Sequence, residues 1–133
     1  MSYLKNVELR FLALHIRTNA EVYKNGADPI TLSCNGVVIS GRPVAKSVFL
    51  EDKQNAILKA FEDAATKSLS AEEIEKQEKE FELVENFHKL FLIDAQTFVG
   101  DKIIPSNGGT CMVVNIDSVD AYNFGKLDFN YGS

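Results

Sequence analysis

The residues from Ile30 to Gly41 constrain this fold more than any other stretch: two short runs of alternating apolar residues flank Asn35-Gly36. Asn-Gly between such runs is the strongest short-range sign of a two-residue hairpin. A type I′ turn needs φ > 0 at both central positions, and these two residue types tolerate that best. The loop length fixes the register, with Cys34 facing Val37, Leu32 facing Ile39 and Ile30 facing Gly41. Period-2 alternation then puts Ile30, Leu32, Cys34, Val37 and Ile39 on one face and Thr31, Ser33, Val38 and Ser40 on the other. One face is core and the other mixed, so something must lie on the hairpin.

The segments around it suggest what. Residues 2–24 have helical periodicity, with Leu4, Val7, Phe11 and Leu14 on one stripe and Leu12, Ile16, Ala20 and Tyr23 on its neighbour. Gly26 is a natural left-handed helix stop, and Asp28-Pro29 returns the chain to extended form. After the hairpin, Gly41-Arg42-Pro43 breaks the second strand. A helical insertion over residues 44–83 follows. Its first helix carries Leu50, Ile57, Leu58, Phe61, Ala64 and Ala65 on one side and Lys53, Gln54, Lys59, Glu62 and Asp63 on the other. Ser70 with Glu73 three residues later forms a capping box and starts a second, polar helix. Strands occupy residues 87–127. Leu90-Phe91-Leu92-Ile93 is buried on both sides, Asp94-Ala95-Gln96 marks a bend before a further strand, and Asp117–Asp120 is a tight turn before the last one. Asp128 to Ser133 reads as a frayed tail.

This order describes a single α+β domain over residues 1–133. It has an N-terminal helix, a hairpin at 30–41, a helical insertion between strands 2 and 3, and a small, strongly bent antiparallel sheet. Two architectures fit: an Sm-like barrel, or an open sheet with helices on one face.

The totals narrow the function. A chain of 133 residues buries enough surface for a core without disulfide staples. Its formal charge is −5, and the segment from Glu72 to Glu85, with seven Glu and two Lys, accounts for all of it. An acidic chain lacks the basic footprint that nucleic acid requires. No apolar run is long enough to span a membrane, and Lys5, Glu8 and Arg10 interrupt the N-terminal apolar stretch, so the expected location is cytoplasmic.

No residue pattern makes a convincing site. Cys34 and Cys111 fall in strands and read as small buried hydrophobes. Neither is linked by spacing to His15 or His88, as a nucleophile or a zinc site would require. Gly100, Gly108 and Gly109 lack the Lys and the helix of a phosphate loop. Asp117 and Asp120 read as turn residues, and Glu75, Glu78 and Glu82 lack the Glu-x-x-His partners of a di-metal bundle. No catalytic, cofactor-binding or metal-binding residue is assigned, and no cofactor is expected.

Two blocks carry a family resemblance. The first is Ile30-Thr31-Leu32-x-x-Asn35-Gly36-x-Val38-Ile39-Ser40-Gly41, followed by Phe49. The second runs from Leu90 to Leu127 through Val99-Gly100-Asp101, Pro105-Ser106-Asn107-Gly108, Ile116-x-x-Val119-Asp120-Ala121 and Gly125-Lys126-Leu127. In order and spacing the chain resembles the gas-vesicle accessory protein U (GvpU) family. Where that family has a Trp-Arg-Gly-like stretch, this chain reads Cys111 to Asn115, which marks a divergent member. The resemblance implies a non-catalytic cytoplasmic accessory protein in vesicle assembly or clustering. Its partners would be gas-vesicle shell or accessory proteins, or further copies of itself. The alternative is a stand-alone small-barrel interaction module serving another process.

Overall fold

The structure, a computed structural model, describes residues 4–126; the tail expected from Asp128 to Ser133 lies outside the described residues. Helix α1 (Val7–Thr18) precedes strands β1 (Ile30–Cys34) and β2 (Val37–Val44). Helix α2 (Lys46–Glu51), a 3-10 turn (Lys53–Asn55), α3 (Ala56–Lys67) and α4 (Ala71–Glu80) come next. Strands β3 (Lys89–Val99), β4 (Lys102–Ile104), β5 (Thr110–Asn115) and β6 (Val119–Phe124) follow. The class is α+β. All six strands form one antiparallel sheet in the order β4-β3-β2-β1-β6, with β5 also paired to β3.

The hairpin has the register its turn dictates, Ile30 opposite Gly41 through Cys34 opposite Val37. Asn35 and Gly36 both have positive φ, 52° and 84°. The expected inner face is the inner face. Ile30, Leu32 and Ile39 join Leu90, Leu92, Ala95, Val114, Ile116 and Val119 in the main core, with Cys34 and Val37 at its margin. On the reverse face Thr31 and Ser40 are buried too, their hydroxyl oxygens 3.2 Å apart, and Thr31 Oγ1 donates to Gly125 O at 2.7 Å.

The sheet is open rather than closed into a barrel: among the described residues β6 pairs with β1 and with no other strand. It is nevertheless bent. β5 and β6 lie on opposite sides of β3, β2 and β1, yet only a 3-10 turn (Ile116–Ser118) joins them. Four residue steps reach at most ~14 Å, whereas four flat strand spacings are ~19 Å. Register shifts between Ser33 and Cys34, Ser40 and Arg42, and Leu92 and Ala95 supply the bends. At the third of these Asp94 has φ 53°, and a Cβ on Gly109 would fall 2.4 Å from the carbonyl carbon of Asp94. Glycine is required at Gly109 because two backbones meet there.

Several expectations need correction. The first helix is Val7–Thr18, shorter than 2–24, because Asn6 sits in the left-handed region and Asn19 ends the helix. Its buried side is Leu9, Arg10 and Ile16, while Leu4 and Phe11 face solvent. The stripe Leu12, Ile16, Ala20 and Tyr23 does pack as expected, with Ala27 and Ala45. β2 does not break at Gly41-Arg42-Pro43 but runs to Val44. Pro43 is tolerated because β1 begins only at Ile30, opposite Gly41, so no β1 residue lies beside it. Pro43 O accepts from Ala27 N at 2.8 Å, so its hydrogen-less nitrogen also points to that side and away from β3. β3 is one strand of 11 residues rather than two, since its pairing with β2 continues past the bulge. The helical region divides into three helices, with Asp52 accepting from Gln54 N at 2.9 Å where α2 ends.

Candidate interaction surface

The residues considered for chemistry prove to be scattered and structurally employed. Cys34 lies on β1 and Cys111 on β5, both as free thiols. Partial burial pushes both thiols up, with Asp120 adding to the effect at Cys34 and Asp52 at Cys111. His15 Nε2 sits 2.9 Å from the Tyr23 hydroxyl, whereas His88 Nδ1 lies 3.4 Å from an Arg10 nitrogen. Among the described residues no group of three or more His, Cys, Asp or Glu is placed to hold a metal ion.

Asp117 and Asp120 serve the fold. Asp120 Oδ2 accepts the Asn35 N–H at 3.0 Å, tying the 3-10 corner to the hairpin turn. Asp117 accepts from Arg10, whose guanidinium also donates to Phe87 O at 2.7 Å and Lys5 O at 2.9 Å. Arg10 is 2% exposed. It and Asn6, which donates to Ile116 O and Val119 O, pin the start of α1 to the corner between β5 and β6. Sequence reasoning missed this cluster. Its one visible sign was a charged residue inside the apolar run from Leu9 to Ile16. Gly100 and Gly108 have positive φ, and Glu75 forms an exposed ion pair with Lys79.

What stands out is α3. An amphipathic helix normally turns its apolar side to the core. Here Ile57 is 75% and Phe61 69% exposed, Leu58 is exposed as well, and no residue of α3 or α4 is buried. The charged side faces the body: Lys46 Nζ meets Glu62 Oε1 at 2.7 Å and Lys59 Nζ meets Glu51 Oε1 at 2.8 Å. α4 continues the arm, started by a complete capping box between Ser70 and Glu73. The body grips the root of the arm more firmly. Phe49 stacks obliquely on Phe91 at 5.2 Å, and Gln54 bonds Thr110 Oγ1 and the Cys111 N–H on the outer edge of β5.

Beside that root lies a cleft of about 700 Å³ between the second half of α1, the start of α2 and the beginning of β3. Its walls include Ile16, Leu50, Phe81, Phe87 and Phe91. Arg17 lies over the Phe81 ring, 5.3 Å from its centre, and Phe81 meets Phe87 edge-on at 6.1 Å.

Fold and surface together define a small α+β protein that presents an exposed apolar helix face and a cleft with an apolar floor. The chain belongs to the gas vesicle protein GvpU-like family, whose model matches residues 11–127. That span takes in both blocks from which the resemblance was read, together with most of α1 and the helical arm. Membership makes it a gas vesicle accessory protein. No curated protein and no solved structure matches the chain. Among the described residues no helix is long and apolar enough to cross a membrane.

Proposed function

We propose that this chain is a non-catalytic, cytoplasmic gas-vesicle accessory protein that works through protein–protein contacts, in vesicle assembly or clustering. The observation carrying the reading is the outward apolar face of α3 on a chain of this family. Water around Ile57, Leu58 and Phe61 is released when a partner covers them, at about 25 cal/mol per Å² of apolar surface. The partner for this face is the vesicle surface itself, its shell or an accessory protein on it. In strand order the bent sheet supports an Sm-like likeness, with the seam between β5 and β6 left open.

Flotation of the purified chain with purified gas vesicles tests this. The native chain rises with the vesicles, and the double variant Ile57→Glu, Phe61→Glu stays in the subnatant with an unchanged melting temperature. A native chain that never rises defeats the proposed role. A variant that rises like the native chain removes α3 as the contact.

A further inference from the structure

We propose that the cleft at the root of the arm is a receptor for an acidic amphipathic helix on a partner protein. This is a second surface, and it does not depend on the role assigned to the outer face of α3. Three observations carry it. First, the cleft is charged against the trend of the chain. Among the described residues that line it, Lys46 and Glu62 pair with each other, which leaves the charges of Arg17 and Lys89 in excess, whereas the chain as a whole carries −5. A cationic rim around an apolar floor favours a ligand with anionic flanks and apolar anchors.

Second, the floor holds large aromatic and aliphatic side chains that a row of anchors can fill, namely Ile16, Leu50, Phe87 and Phe91. Third, the strand edge in the cleft is short, because β2 ends at Val44 opposite Phe91 and only Lys89 and Leu90 of β3 run past it. Phe91 is paired to Val44 on one side and to Val113 on the other, and Lys89 is paired to Asn115. Two residues give an extended peptide too few ladder bonds to add a strand there. A helix can dock, because its backbone bonds are satisfied internally and only its side chains need partners. The chain's own α4 has the right charge, but Ile74 is its one large apolar residue, so it lacks the row of anchors.

The probe is a fluorescein-labelled designed helix with Leu at positions i, i+3, i+4, i+7 and i+11 and Glu elsewhere. Its control carries Lys in place of every Glu. Fluorescence anisotropy with the full chain reads binding. The acidic helix binds at least ~10-fold tighter than the basic one, and raising NaCl from ~0.05 to ~0.5 M weakens it. Lys89→Glu weakens binding about 10-fold or more at an unchanged melting temperature, because it turns an attractive contact with the acidic helix into a like-charge one. Phe61→Glu, on the outer face, leaves binding as it was.

Equal binding of the two peptides overturns the proposal, and so does wild-type affinity in Lys89→Glu. Two further results overturn it by naming another occupant: oleate saturating the cleft while the acidic helix fails to bind, or a dimer in solution that the peptide dissociates. Flotation reports on Ile57 and Phe61 and anisotropy on Lys89, so each reading can fail alone.

Discussion

Gly36 and Gly109 need glycine for different reasons. At Gly36 an added Cβ would meet nothing within 4 Å, yet φ is +84°. The cost there is pure backbone strain, so Gly36→Val is expected to lose about 1–3 kcal/mol. Calorimetry checks it, and an unchanged melting temperature would contradict the type I′ turn. Gly109→Ala must instead push the Asp94 backbone away, which costs a similar ~1–3 kcal/mol by overpacking. Arg10 is a third such residue. Arg10→Leu leaves Phe87 O and Lys5 O without their charged donor, and the expected loss is about 3 kcal/mol in urea unfolding. The raised thiols also have a definite sign. A folded pKa above the unfolded one adds stability below the unfolded thiol range that is lost as pH rises through the folded value. Iodoacetamide should accordingly label Cys34 and Cys111 more slowly near pH 8 than it labels a cysteine in an unstructured peptide.

At the scale of elements, α3 and α4 differ in kind from α1. Burial of Leu9 and Ile16 holds α1 on the sheet, with Arg10 locking it in place. The arm is tied to the body by partly exposed ion pairs, which water and salt screen heavily. Within α4 the Ser70 cap therefore matters locally. Ser70→Ala removes about 1 kcal/mol from that helix alone. Amide exchange should speed up from Glu73 through Gln77, while the melting temperature of the body stays put.

For the whole molecule the consequence is a body that does not need its arm. Both core clusters are built without any residue between Asp52 and Asn86. Replacing residues 56–83 by a Gly/Ser linker of about ten residues should leave a cooperatively melting sheet. It should also abolish flotation with vesicles. Loss of cooperative melting would show that the arm carries structural weight which its exposure does not reveal.

Much of this architecture was written locally. Asn35-Gly36 set the hairpin and its register, Ser70 and Glu73 set a helix start, and alternation set the inner face, because each depends on residues only a few positions apart. The family resemblance rested on those same local signals. Three things were decided only in the folded chain. Pro43 could remain in a strand because β1, which begins opposite Gly41, does not reach it. Arg10 could be buried because Phe87 and Asp117, more than 70 positions away, joined Lys5 in supplying its acceptors. And α3 turned its apolar face outward because the sheet and α1 had already closed the core without it. Amphipathic spacing states that a helix has an apolar side; which way that side faces is settled by whatever else covers the core.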